Sequence, residues 1–179
     1  MPGKAGGLGG FAHITDCLCI GNSKAANDTS VISSLNITCI INATQDINNT
    51  SLPTIDYIHV PISDDPESRL IDHFDAVADK IHHVNEQHGR VLVHCNAGVS
   101  RSATLCLAYL MKHCDMALAE AYELVKSQRP IVRPNSGFWR QLIEYECNLR
   151  GTSTVNMIPS TVGDIPDLYE KETKGLIPL

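Results

Sequence analysis

The stretch RVLVHCNAGVSRSATL, residues 90–105, constrains the fold more than any other part of the chain. It opens with a continuously apolar run, which is typical of a β-strand buried on both faces of a parallel sheet. Mostly small residues follow Cys95, and a helix is predicted to begin at about Arg101. A strand that leads through a short loop into a helix is a building unit of α/β domains.

The rest of the chain repeats this alternation of strands and helices. Three further β-type runs precede the stretch, at 17–20, 37–43 and 55–62. The predicted helices are a short one over 23–35, capped by Asn22 or Ser23, a long amphipathic one over 70–88 that stops at Gly89, and three more over about 101–113, 117–128 and 136–149. This pattern predicts an α/β fold with a central, largely parallel sheet flanked by helices.

The length and local composition predict one domain with two extensions. Residues 1–10 contain five glycines and are expected to be a flexible leader. Residues 11–150 carry all the periodic segments and form the predicted folded domain. Residues 151–179 combine Pro, Gly and charge without periodicity, so we expect a C-terminal tail that is partly packed or extended.

The charge balance and hydropathy exclude several classes of partner. The chain has 20 acidic and 14 basic side chains and a net charge of -6, which argues against nucleic acid as a partner because phosphate backbones require clustered Lys and Arg. No apolar span of 18 residues is present, so stable membrane insertion is not expected. The seven cysteines are expected to stay reduced, in the cytoplasm and in the nucleus as a second compartment.

The loop after the apolar strand has the composition of an oxyanion site. Its small side chains allow backbone N–H groups to converge on one point, and the N-terminus of the following helix adds positive potential. The loop residues are Asn96, Ala97, Gly98, Val99 and Ser100. Arg101 adds a planar fork of donors that suits bidentate binding of phosphate.

Cys95 is the predicted nucleophile of this site. It lies at the carboxyl end of the strand, where open α/β sheets bind their ligands. Convergent N–H groups and a guanidinium stabilise a thiolate, and a thiolate inside a phosphate-binding loop is aimed at phosphorus. A lone cysteine in a strand is usually a core residue. The complete string His94-Cys95-x5-Arg101-Ser102 between a strand and a helix favours catalysis instead.

The string HCNAGVSRSATLCLAYLM resembles the signature of cysteine-dependent dual-specificity protein phosphatases. The resemblance extends over about residues 11–150 and is strongest to the small atypical members, which lack a kinase-docking domain. It also includes NAT at 42–44, VPISDD at 60–65, RPNSGFWRQL at 133–142 and, more weakly, IPDLYEK at 165–171. The implied fold is that of these phosphatases, and the implied chemistry is hydrolysis of phosphoesters through a cysteinyl phosphate.

The resemblance also implies roles for residues around the loop. Asp64 is the implied general acid and base, with Asp65 as the fallback, although Asp64 as a simple turn residue before Pro66 remains open.

The resemblance further implies supporting roles for residues beside the loop. Ser102 is placed to hydrogen-bond the Cys95 sulfur and assist its departure. His94 is expected to be a buried support, and Asn135 a brace of the loop or a helix N-cap. No metal or other cofactor is expected, because Arg101 and the loop amides neutralise the phosphate charge.

Two other functions compete with a protein phosphatase. A phosphoinositide phosphatase or an RNA 5′-phosphatase uses a similar loop, but the inositol-lipid enzymes carry basic residues in it, whereas this loop is neutral and the chain is acidic. A catalytically weak phosphopeptide-binding module would be expected to lack the cysteine or the acid. We therefore expect phosphorylated proteins as substrates, on tyrosine and on serine or threonine, with mitogen-activated protein kinases or related signalling kinases among them. The oligomeric state is left open.

Overall fold

A computed structural model describes residues 10–174 and shows a five-stranded sheet with helices on both faces. The strands of this sheet are β1 (Phe11–Thr15), β2 (Leu18–Gly21), β3 (Cys39–Asn42), β4 (Asp56–His59) and β5 (Val91–His94). Their order is β1-β2-β5-β3-β4, and every neighbouring pair except β1–β2 is parallel. The predicted α/β fold with a largely parallel central sheet is confirmed.

Seven α-helices and one 3-10 turn connect or follow these strands in the described part of the chain. The helices are α1 (Ser23–Ala26), α2 (Thr29–Ser34), α3 (Phe74–Glu86), α4 (Arg101–His113), α5 (Leu118–Gln128), α6 (Ser136–Arg150) and α7 (Leu168–Lys174), and the 3-10 turn is Leu70–His73. None of these helices within residues 10–174 is long and apolar enough to cross a bilayer.

The central strands have apolar side chains on both faces, as their continuous apolar runs predict. On β5, Val91 and Val93 face the larger core together with α3 to α6, whereas Leu92 faces a smaller core with α2. The side chains of β2 and β3 alternate in the same way, because successive residues of a strand point to opposite faces. Helices therefore cover both faces of the sheet, and the carboxyl ends of its strands remain available to form a site.

The structure differs from the sequence-based elements at several points. Residues 70–73 of the predicted helix 70–88 form a 3-10 turn, and α3 ends at Glu86, before the predicted stop at Gly89. The edge strand β1 was not predicted; its alternation covers only five residues, and it is completed by antiparallel pairing with β2. The predicted helix 23–35 is two helices, because the Asp28 side chain accepts hydrogen bonds from Ser30 N and Val31 N and so starts a new helix. Asn22 caps the first of them, accepting from Ala25 N at 2.8 Å.

Helix α4 lies in the middle of the larger core. All ten residues from Ser102 to Met111 are buried, so this helix has no solvent-facing stripe until its last turn. It packs along α3 and touches α5, α6 and strand β5. Because neighbouring elements pack around α4, the backbone of Arg101, its first residue, has a fixed position.

The segment after α6 packs against the helices that precede it. Strands β6 (Met157–Ile158) and β7 (Ile165–Pro166) form a small antiparallel hairpin. Val155 is fully buried, and the Tyr169 hydroxyl accepts a hydrogen bond from Trp139 Nε1 at 2.8 Å. The predicted leader 1–10 lies outside the described residues except for Gly10.

Candidate active site

The site lies at the carboxyl edge of the sheet, where strand β5 passes into helix α4. Cys95 follows the last residue of the strand and is buried, with 2% of its surface exposed. Its Sγ atom lies 3.3 Å from the Ser102 hydroxyl oxygen in the first turn of α4. The structure thus brings together the two side chains that the sequence analysis pairs as nucleophile and leaving-group assistant.

Each backbone carbonyl from residue 95 to residue 99 has a donor outside the loop. The donors, in order, are His94 Nδ1 to Cys95 O (3.1 Å), Ser23 N to Asn96 O (3.0 Å), Arg129 Nη2 to Ala97 O (3.1 Å), Arg129 Nε to Gly98 O (2.9 Å) and Arg133 N to Val99 O (2.8 Å). The peptide bonds of the described residues are all trans, so each N–H points away from its own carbonyl. Carbonyls tied to the outside therefore turn the N–H groups of residues 96–100 toward the inside of the loop.

Gly98 is required at the centre of the loop. Its φ angle is +71°, a conformation that side chains with a Cβ rarely adopt. A Cβ at this position would also lie 2.7 Å from the carbonyl oxygen of Gly21 and 3.0 Å from Arg129 Nη2. The loop can approach both groups only because residue 98 has no side chain.

Arg101 connects the loop to the segment that carries the two candidate acids. Its Nη1 donates to the carbonyl of Ile62 at 2.9 Å, two residues before Asp64. Its Nε is buried and has no hydrogen-bond partner among the described residues. A buried guanidinium N–H without a protein acceptor is suited to an oxyanion ligand, because an unsatisfied buried donor is otherwise unfavourable.

The two candidate acids have different surroundings. Asp64 Oδ1 accepts a hydrogen bond from Asn135 Nδ2 at 2.9 Å, and the backbone N–H of Asn135 donates to the Ser100 hydroxyl of the loop. Asp65 Oδ1 instead accepts from Glu67 N at 2.8 Å and closes a local turn. Asn135 is also the N-cap of α6, accepting from Phe138 N, so its two predicted roles coexist.

Helix α6 fixes the segment that carries these acids by close contact. A Cβ on Gly137 would lie 2.0 Å from the carbonyl oxygen of Pro66, so the first turn of α6 approaches this backbone only because residue 137 is glycine. One turn later, the Gln141 side chain donates to Ser68 O and accepts from Ile71 N, both at 2.8 Å.

His94 lies behind the loop and is fully buried. Nδ1 faces the Cys95 carbonyl, which can only accept, and Nε2 lies 2.9 Å from the Asn49 side-chain amide, which donates. These two contacts place the ring proton on Nδ1 and require a neutral ring. Burial, together with the charge on Arg101, lowers the pKa of His94, although the hydrogen bond to Cys95 opposes this effect.

Sequence reasoning missed three residues that shape the site. They are Arg129, Gln141 and Asn49. Gln141 lies in the RPNSGFWRQL string noted in the sequence, and Arg129 precedes Pro130, which fixes where α5 stops, but neither pattern showed a contact with the site.

The other buried cysteines belong to the core. Burial raises the pKa of Cys19 and Cys39 to about 11, and burial also raises the pKa of Cys106. A thiol in this state is a small apolar side chain and not a nucleophile.

Comparisons with known proteins agree with this geometry. Residues 18–148 match the family model of the dual specificity phosphatase catalytic domain. The chain is 52% identical to dual specificity protein phosphatase 14 of Bos taurus, with 97% of this chain and 87% of that protein aligned. It is 54% identical to the human dual specificity protein phosphatase 18, over 96% of this chain and 92% of that one. A mouse putative dual specificity phosphatase, solved with zinc tungstate, has a TM-score of 0.76 and 37% identity, covering 79% of this chain and 89% of the other.

Proposed function

The chain belongs to the small atypical dual-specificity protein phosphatases, and on this premise we propose how its own residues carry out the reaction. The enzyme hydrolyses phosphotyrosine and phosphoserine or phosphothreonine esters of proteins by cysteine chemistry. The assignment of steps to individual residues is our proposal.

In the first step, the Cys95 thiolate attacks phosphorus. The S–P bond forms as the bond from phosphorus to the ester oxygen breaks, and Asp64 gives its proton to the departing oxygen. The loop N–H groups and Arg101 hold the three equatorial oxygens, where negative charge is concentrated in the transition state. Asp64 is favoured over Asp65 because Asn135 ties its carboxylate to Ser100 of the loop.

In the second step, water hydrolyses the cysteinyl phosphate. Asp64, now a carboxylate, takes a proton from the attacking water, and the new O–P bond replaces the S–P bond. Ser102 donates a hydrogen bond to the departing sulfur, for which the 3.3 Å separation is suitable. The products are inorganic phosphate and the thiolate, so the enzyme returns to its starting state.

A single observation carries this proposal: the five outward carbonyl anchors around a buried cysteine. They supply an inward ring of N–H groups before any ligand arrives, which is the pre-organisation that transition-state stabilisation requires. A simple core cysteine has no need of such a ring.

The proposal extends to the class of substrate and its location. We infer that phosphorylated signalling kinases, including mitogen-activated protein kinases, are substrates, and that the enzyme acts in the cytoplasm and the nucleus, where such kinases work. The neutral loop side chains support phosphoproteins over inositol lipids.

The decisive experiment compares the wild type with Cys95→Ser. We expect the wild type to hydrolyse an aryl phosphate and a phosphotyrosine peptide and the variant to lose activity by at least about 10³-fold, because a serine hydroxyl is not ionised at neutral pH. Cys147→Ser, at an exposed cysteine of α6, is the matched control and should keep full activity. Turnover that survives in Cys95→Ser would refute the thiolate mechanism, and peptide binding without turnover by the wild type would indicate a binding module.

The substrate is identified by trapping. Cys95→Ser or Asp64→Ala should retain phosphoproteins from a cell extract, and orthovanadate should release them by competing for the loop. Recovery of phosphorylated kinases, measured by phosphoproteomics, is expected; recovery of the same proteins with an added Arg101→Ala change would contradict binding through the loop.

A further inference from the structure

We propose that Arg129 is the positioning residue of the phosphate-binding loop, which fixes the two central amides, those of Gly98 and Val99, for phosphate binding. The inference rests on the proposed function and assigns a specific part of it to a residue outside the signature string.

One guanidinium serves two successive peptide groups. Arg129 Nε donates to Gly98 O at 2.9 Å and Nη2 donates to Ala97 O at 3.1 Å. The Ala97 carbonyl shares its peptide plane with the N–H of Gly98, and the Gly98 carbonyl shares its plane with the N–H of Val99. Because the planes are trans, tying both oxygens to Arg129 directs both N–H groups to the opposite side, into the loop.

The other anchors of the loop do not share this property. His94 contributes one side-chain donor to one carbonyl, that of Cys95, and Ser23 and Arg133 each contribute a backbone N–H to one carbonyl. A side-chain substitution leaves those backbone donors in place, whereas it removes both donors of Arg129 at once. The two central amides therefore depend on the identity of one side chain.

The burial of Arg129 is explained by this role. Only 1% of its surface is exposed, and burial lowers the pKa of its guanidinium, an effect that attraction to the Cys95 thiolate opposes. A fully buried arginine is unfavourable unless its donors are satisfied. The outward carbonyls of the loop supply acceptors, and the thiolate in front of the loop supplies the opposite charge.

A planar fork is needed because of the geometry of the loop. Two neighbouring carbonyls present two acceptors side by side, which match the adjacent Nε and Nη2 donors of a guanidinium. A lysine ammonium keeps the charge but acts as a point donor, so it can hold one carbonyl well and the other poorly. The Arg129→Lys variant therefore keeps the positive charge but loses the paired orientation of the two donors, so it shows which of the two properties the loop requires.

The experiment measures ligand affinity and rate for Arg129→Met, Arg129→Lys and a control. For Arg129→Met we expect the inhibition constant of orthovanadate to rise by about tenfold or more and kcat/KM to fall by about 10- to 100-fold, on the scale of losing oxyanion donors. The fall should be the same for esters with good and with poor leaving groups, because the equatorial oxygens are held in both. Arg129→Lys should lie between Arg129→Met and the wild type.

The control is Arg150→Met, at an exposed arginine that pairs with Asp115 at the far end of α6. It should leave the vanadate constant and kcat/KM at wild-type values. A merely structural role for Arg129 would lower the melting temperature but leave the vanadate constant unchanged in the folded protein. Such an unchanged constant in either folded Arg129 variant would overturn the proposal.

A spectroscopic measurement on the wild type keeps the proposal testable even if Arg129→Met does not fold. The Nε–H signal of Arg129 should exchange slowly with water and should shift when orthovanadate is added, together with the amide signals of Gly98 and Val99. An Nε–H that exchanges as fast as that of the exposed Arg140, or that ignores vanadate, would contradict the anchoring role. Failure of the proposed function is distinguishable, since then the wild type itself would lack turnover or Cys95→Ser would retain it.

Discussion

At the scale of single residues, two adjacent aspartates illustrate how surroundings decide chemistry. Asp64 and Asp65 are both exposed and belong to the same short segment. Their hydrogen bonds differ: one carboxylate reaches Asn135 beside the phosphate-binding loop, and the other caps the backbone of Glu67. The first arrangement suits the proposed role of Asp64 as the acid, and the second shapes a turn.

Replacement of each aspartate by alanine tests this difference. Asp64→Ala should lower kcat by about 10²-fold or more for phosphoserine peptides, whose alkoxide leaves poorly without a proton, and much less for activated aryl phosphates. Asp65→Ala should leave both rates nearly unchanged. The measurement is kcat over a series of esters with leaving groups of graded acidity. A steep dependence on the leaving group in Asp65→Ala alone would transfer the role to that residue.

His94 gives a prediction for the pH dependence of stability. Its pKa in the folded protein is lowered by burial, so below about pH 6.5 the unfolded chain binds a proton that the folded chain does not. The neutral ring of His94 therefore makes its full contribution to the free energy of unfolding above that pH. This contribution is lost as the pH falls toward the pKa of the folded state, by at most about 1.4 kcal/mol per pH unit.

Urea unfolding between pH 7.5 and 5 measures this effect. The free energy of unfolding of the wild type should fall faster with acidification than that of His94→Gln, which has no ring to protonate. His83→Gln, at an exposed histidine of α3, should follow the wild type. Equal slopes for the wild type and His94→Gln would show that His94 does not contribute.

At the scale of elements, helix α6 acts as a template for the segment that carries Asp64. Gly137→Ala would introduce a methyl group 2.0 Å from the Pro66 carbonyl oxygen, so the backbone of one element must move. We expect a loss of about 1–3 kcal/mol in the free energy of unfolding, as for overpacked cores. We also expect kcat to fall more for poor leaving groups than for activated ones, because Asp64 is displaced with its segment.

Ser136→Ala, one residue earlier in the same turn, is the control and should change neither quantity much. Melting temperature and kcat with two leaving groups are sufficient measurements. If the Gly137→Ala enzyme keeps the wild-type melting temperature and the wild-type kcat values, the segment can move without affecting Asp64, and this prediction is wrong.

Whether an element can be predicted from the sequence depends on how far apart along the chain the residues lie whose contacts form it. Helix α4 and the position of Cys95 at the end of a strand are readable because the apolar run, the small loop and the helix lie within one continuous stretch. Strand β1 is not, since its five residues are completed by pairing across a turn with β2. Arg129 and Asn49 act on residues 31 to 45 positions away, and no local pattern marks such contacts.

At the scale of the whole molecule, Glu146 joins the C-terminal segment to the domain. Its buried carboxylate accepts three hydrogen bonds: from Leu118 N at the start of α5 and from the N–H and hydroxyl of Thr154. The carboxylate of Glu146 therefore connects α6 both to the start of α5 and to the segment that follows α6.

Glu146→Gln should destabilise the protein as a whole. The amide brings a donor where all three partners donate, so we expect a loss of about 1–3 kcal/mol, typical of an unsatisfied buried group. For a chain of this size that loss lowers the melting temperature by about 2–12 °C. Glu144→Gln, at an exposed glutamate on the same helix, is the control. Aryl phosphate hydrolysis at low temperature should be unchanged in both; a Glu146→Gln protein as stable as the wild type would show that the contact contributes little.

We infer that the anchors of the phosphate-binding loop also determine when the enzyme can become active during its synthesis. The signature string spans nine residues, from His94 to Ser102, but the donors that orient its carbonyls extend from Ser23 to Arg133. A nascent chain emerges from the ribosome amino end first, so the string appears before Arg129 and Arg133. A partly made chain thus carries the whole motif without the groups that turn its central amides inward. We therefore expect activity to arise only after Arg129 and Arg133 have been made and have reached the loop carbonyls.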